Sequence, residues 1–212
     1  MSDFKAAKPL RLAMLALFVL SAGAVWSQSL APTNSLPNPY RGMCFGKLPD
    51  GRQWGSTAGI DVDRDGKSNW VFERCGAYVG APPRPGEPFA CDGSNLAPIL
   101  KFDEQGNLAK SFGAGLFVAP HGLSVDPQGN VWVTDVIGRN GKGHQVIKFG
   151  PDGRVLLRLG RAGIAGDGPD EFNAPSAVLV APNGEVFVAD GHDFSGAGGN
   201  PNARILKFKR TT

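Results

Sequence analysis

Three stretches of the chain alternate apolar and polar residues on either side of a glycine-containing turn: "GIDVDRDGKSNWVFERC" (59 to 75), "GLSVDPQGNVWVTD" (122 to 135) and "AVLVAPNGEVFVAD" (177 to 190). A period of two puts successive side chains on opposite faces of a strand, so each stretch predicts a hairpin. After a loop of variable length a second alternating element follows: "PILKFDEQGNLAKSFG" (98 to 113), "QVIKFGPDGRVLLRLG" (145 to 160) and the shorter "RILKFK" (204 to 209). The predicted unit is four antiparallel strands, A to D. No window shows a sustained helical period with caps. Strands are expected near 59 to 63, 69 to 74, 98 to 102, 108 to 112, 122 to 126, 131 to 135, 145 to 149, 154 to 159, 177 to 181, 186 to 190 and 204 to 208.

Four-stranded units in tandem predict an all-β chain folded as a β-propeller, with about two complete blades and an incomplete third. Antiparallel order sends the short A to B and C to D turns to one face and every B to C and D to A connection to the other. The long segments therefore share a face: residues 76 to 97, the approach "FVAPH" to His121, "VIGRNGKGH", "RAGIAGDGPDEFNAPS" and "GHDFSGAGGNPNA". Irregular loops held by a rigid scaffold are where binding and catalysis concentrate, so a peptide or small-molecule ligand is expected there.

Composition agrees with a turn-rich chain, with 30 glycines and 17 prolines. The first 27 residues stand apart. Lys5, Lys8 and Arg11 precede an uncharged stretch from Leu12 to Val25, too short for the ~20 residues of a membrane span, and Ala24 and Ser27 offer cleavage points. This is the pattern of a secretory signal peptide (1 to 27), with an uncleaved N-terminal anchor as the alternative. Either predicts a secreted or periplasmic protein and no other membrane association. Residues 28 to 54 then form an extended segment and residues 55 to 212 the repeat region. Without residues 1 to 27, 19 basic and 18 acidic side chains remain, a net charge of +1. No basic run is left to neutralise a phosphate backbone, so nucleic acid is not an expected partner.

Three cysteines in an exported chain suggest one disulfide. Cys75 and Cys91 flank the Pro- and Gly-rich "GAYVGAPPRPGEPFA", a loop whose closure would stabilise the fold by about 3 kcal/mol, which leaves Cys44 over. Three buried free thiols are the alternative. The histidines His121, His144 and His192 all fall on the long-loop face. His121 aligns with Ala58 and Ser176 in the other units, so the repeat itself does not require a histidine there. His144 reads as a hydrogen-bonded loop residue. Asp135 and Asp190 recur at the end of strand B and read as ties between the B to C loop and the start of strand C, which opens at Arg204 in the last unit.

The repeated "G-h-x-V-D … G-N-V-W-V-T-D … h-x-K-F" pattern (h apolar) resembles the NHL repeat over residues 50 to 209. "PHGLSVDPQGNVWVTD" followed by "HQVIKF" is similar to the matching unit of the peptidyl-α-hydroxyglycine α-amidating lyase family. That resemblance implies a six-bladed propeller that holds Zn2+ in its channel through three histidines and a structural Ca2+ partly through backbone carbonyls. Such enzymes cleave α-hydroxyglycine peptides to an amide and glyoxylate. Carried over by motif, His121 would ligate zinc and the Leu123 carbonyl would ligate calcium. Zinc suits the reaction as a Lewis acid if three protein ligands leave a position open.

The chain departs from that pattern in three places. The family's other two zinc histidines belong to later blades, whereas this sequence runs out at "RILKFKRTT". His192 follows "ADG" where the family has a catalytic tyrosine after "SDG". For the family's catalytic arginine, expected ahead of the first strand, Arg52 in "DGRQWGSTAGIDVD" is the nearest candidate and Arg74 a second. The sequence therefore predicts a lyase-like propeller without activity of its own. An extracytoplasmic binding module, or a part-propeller that assembles with other chains, remains the alternative.

Overall fold

The computed structural model describes residues 39–77, 89–192 and 202–209. The segment expected to be a signal peptide lies outside them. The chain divides into two units, Met1–Met43 and Cys44–Thr212, and among the described residues the second carries every strand. Those strands are β1 (Thr57–Val62), β2 (Asn69–Glu73), β3 (Ile99–Phe102), β4 (Leu108–Phe112), β5 (Pro120–Val125), β6 (Val131–Asp135), β7 (Gln145–Phe149), β8 (Val155–Leu159), β9 (Pro175–Val180), β10 (Val186–Asp190) and β11 (Arg204–Phe208).

They form three antiparallel sheets in the orders β1-β2-β3-β4, β5-β6-β7-β8 and β9-β10-β11, successive blades of a propeller. No helix occurs among the described residues. β1, β5 and β9 start two residues earlier than alternation alone predicts. The extra pairing lies beyond an irregularity in register, where Pro120 faces Asp135 and Pro175 faces Asp190. Proline is tolerated at the first position of a strand, where its missing N–H breaks no ladder bond.

Register explains how the blades stack. Side chains paired across a blade share a face, so Trp70, Phe72 and Ile99 project from the first blade toward the second. There they meet Val131, Val133, Ile147 and Phe149 in one buried cluster. Trp132 and Val146 meet Val178, Val186 and Val188 of the third blade in the same way. β1, β5 and β9 lie side by side as the innermost strands. Glycine permits this approach. A Cβ on Gly59 would sit 2.8 Å from the His121 carbonyl oxygen, and one on Gly122 would sit 2.7 Å from that of Ser176.

On the opposite side of the first blade, Leu48 packs against Val71, Leu100 and Phe102, and the Trp54 ring lies tilted against Phe102, centroids 5.6 Å apart. Residues 44 to 54 thus cover part of that blade.

Candidate functional site at the long-loop end

The segment that delivers His121 has its polar backbone groups engaged. Asp135, buried at the end of β6, accepts the amides of Val118 (2.8 Å) and Ala119 (2.6 Å). Burial pushes this carboxyl up to about 7, with the two amides opposing the shift. The Ala119 carbonyl accepts Val136 N–H, and Arg74 Nε donates to the Pro120 carbonyl at 3.0 Å. Asp135 therefore ties the approach to strand A, not the B to C loop as its position suggested. Asp190 does both: it accepts Asn173 N–H before β9 and also Arg204 Nε at the start of β11.

From this support the half-buried His121 places Nδ1 2.7 Å from the Ser176 carbonyl oxygen on the next blade. A carbonyl only accepts, so Nδ1 carries the proton, and in the neutral ring the lone pair sits on Nε2. Burial is the main cause that lowers this imidazole below its ordinary 6.5. The Ser176 bond works against it, and the nearby charges of His192 and Arg74 add to it. The ring is thus held neutral at pH 7, the form that binds metals.

Two further groups converge on His121 from different blades. His192, just past β10, lies with its ring centroid 4.6 Å from that of His121. Arg74, just past β2, is buried, and burial lowers it below its usual range while Asp135 opposes. Arg52 stands elsewhere: its guanidinium bonds the fully buried Glu73 carboxylate at 2.6 Å and the Ala97 carbonyl at 2.7 Å. Glu73 also accepts the amides of Gly55 and Gly76, so Arg52 neutralises a carboxylate that anchors the first blade.

His144 is the loop residue it reads as, accepting Ala174 N–H at Nδ1 (3.3 Å). The Leu123 side chain packs into the first core cluster. The Cys75–Cys91 disulfide is formed and Cys44 is free and exposed.

Residues 117–149, which hold His121, Asp135 and the strands around them, match the NHL repeat model. The peptidyl-alpha-hydroxyglycine alpha-amidating lyase 1 of Drosophila melanogaster is 44% identical over 108 residues, 50% of this chain and 17% of that protein. The probable lyase pgal-1 of Caenorhabditis elegans is 43% identical over 115 residues, 54% of this chain and 29% of that protein. Residues 117–149 are thus an NHL repeat, and about half of the chain or more is homologous to part of the α-amidating lyases. The rat peptidylglycine alpha-amidating monooxygenase extends the likeness to 73% of the chain at 35% identity, over 15% of its own length. The chain thus spans less than a third of each of these relatives. Among solved structures, virginiamycin B lyase of Staphylococcus aureus aligns with a TM-score of 0.35 and 16% identity, covering 77% of this chain and 58% of that one.

The resemblance to the lyase family implies zinc, and the donor set tests it. His121 has the right chemistry: one ring nitrogen is fixed on a carbonyl and the other carries the lone pair, as in metal-bound histidines. With His192 beside it there are two imidazoles, where a catalytic zinc takes three protein ligands. Among the described residues no group of three or more His, Cys, Asp or Glu is placed to hold a metal ion. These residues alone do not complete a zinc site.

Proposed function

We propose that this chain carries part of an α-amidating-lyase site, exported from the cytoplasm, in which Arg74, His121 and His192 receive an α-hydroxyglycine peptide at the long-loop end. The observation that carries this reading is the convergence of these three side chains from three blades. Arg74 is the group for the substrate's terminal carboxylate, since a buried guanidinium gains most from an anionic partner. Its place beside the segment that delivers His121 favours it over Arg52, whose guanidinium sits on the Glu73 carboxylate.

In the reaction a base takes the proton of the α-hydroxyl, the C–O bond becomes the carbonyl of glyoxylate, the C–N bond breaks and the amide nitrogen takes up a proton. His192 is the group proposed to handle these protons. Zinc, when bound, supplies Lewis acidity at the hydroxyl. His121 Nε2 is the proposed first ligand, further ligands would have to come from outside the described residues, and the Leu123 carbonyl is the proposed contribution to a structural calcium. The Cys75–Cys91 disulfide and the homology to the monooxygenase support a secretory setting.

The test is zinc content and glyoxylate release from an N-acyl-α-hydroxyglycine. The 212-residue chain should hold substoichiometric zinc and turn over no substrate. Fused to the remaining blades of a relative, it should gain both, and His121→Ala should remove both. A fusion that binds the peptide with no turnover and no zinc would favour the binding-module reading.

A further inference from the structure

We infer that the Cys75–Cys91 disulfide is a positioning element for the His121–Arg74 pair, acting on the segment Val118–Pro120. The inference rests on the reading of those two residues as site residues. The two half-cystines stand at the two points where the first blade grips that segment. Arg74, immediately before Cys75, donates to the Pro120 carbonyl at 3.0 Å. The Cys91 amide donates to the Val118 carbonyl at 2.9 Å. The amides of Val118 and Ala119 are held from the other side by Asp135 of their own blade.

The segment is therefore clamped between two blades, and the disulfide joins the two grips on the first-blade side into one body. Cys91 is buried with Phe117 in the first core cluster, so that body is seated in the joint between the blades. Cys75 itself takes a left-handed backbone conformation (φ 52°), which non-glycine residues adopt only when their surroundings hold them.

The second joint shows the same task done differently. Asn173–Pro175 aligns with Val118–Pro120: Ala174 O accepts Gly191 N–H as Ala119 O accepts Val136 N–H, and Asp190 takes the place of Asp135. There the grip from the preceding blade is His144, whose Nδ1 accepts Ala174 N–H. One joint uses an imidazole, and the other uses the backbone beside a disulfide. The segment held by the disulfide is the one that delivers the site histidine.

The experiment is NMR of the metal-free, full-length oxidised chain, reading the His121 Nδ1–H and Arg74 Nε–H protons against strand amides such as Val133 and Val188. In Cys75→Ala/Cys91→Ala both side-chain protons should exchange with water at least about tenfold faster, while the strand amides keep their protection. Wild type treated with an excess of a small dithiol, which takes up the disulfide's oxidising equivalents by closing to its own cyclic disulfide, should show the same selective loss. Cys44→Ala should change nothing. Unaltered His121 and Arg74 signals in the reduced protein would overturn the inference. So would loss of all strand amides together, because the disulfide would then serve global stability alone. None of these signals needs zinc or substrate. Selective loss here combined with an inactive fusion would sink the lyase reading and leave the positioning role standing.

Discussion

Ile99, Val146 and Ile205 hold one position in three successive blades, with exposures of 0%, 0% and 74%. The first two are covered by the blade that follows, and the face around Ile205, with Leu179 at 61%, lies open. The polar chemistry of these faces differs between the first two blades and the third. In the first blade Asp63 accepts the Trp70 indole N–H (2.7 Å) and the Lys101 ammonium (3.0 Å). In the second, Asp126 does the same for Trp132 (3.0 Å) and Lys148 (3.1 Å). In the third, Ala181 replaces the aspartate and Phe187 the tryptophan, and Lys207 turns to Glu185. Acceptor and donor are absent together, so no buried polar group is left without its partner. The first two blades thus carry a Trp–Asp–Lys clamp, and the third does without it.

The largest effect expected from this comparison is at the covered positions. Ile99→Ala should destabilise the fold by about 2–5 kcal/mol in urea unfolding, because it opens a cavity that neighbouring rings cannot fill. Next, Asp126→Ala should cost about 1–3 kcal/mol by stranding the Trp132 indole and the Lys148 ammonium. Adding Trp132→Phe, which copies the third blade, should cost less than the sum of the two single changes by about 1 kcal/mol. Strict additivity would mean the clamp is not a unit.

Acid should act through the same carboxylates. Asp63 and Asp126 lie below their usual 3.8 in the fold: burial alone would raise them, but the hydrogen bonds and the lysines outweigh it. Their contribution is therefore present above pH ~4 and lost as pH falls through the lowered folded values. The stability gap between wild type and Asp126→Asn should close over that range, and a gap that widens on acidification would reverse the sign. The smallest effect is at the open face, where Ile205→Ser should stay within about 0.5 kcal/mol in the monomer.

Strand positions were legible because short apolar-rich runs are bounded by glycine-containing turns, and this holds even in the middle blade, which packs on both faces and buries β6 throughout. The disulfide was legible because Cys75 and Cys91 close an aperiodic loop between two strong strands. The early starts of β1, β5 and β9 were not, since Pro120 and Pro175 interrupt the pattern and their pairing depends on the strand opposite. The site was legible one residue at a time. His121 stood out because its repeat partners are alanine and serine. That the His192 ring would lie beside it, and that Arg74 would bond the carbonyl of the residue before it while Arg52 pairs with Glu73, follow from how three blades turn toward one another. No spacing along the chain encodes that turn.

The most direct test of the central claim, that Arg74, His121 and His192 form one site for an α-hydroxyglycine carboxylate, is an NMR titration of the isotope-labelled chain with an N-acyl-α-hydroxyglycine and with its carboxamide. The account predicts that the acid shifts the side-chain signals of all three residues together, that Arg74→Gln weakens binding about tenfold or more, and that the carboxamide leaves them unmoved. Shifts confined to the short-turn face, or equal responses to acid and carboxamide, would contradict it.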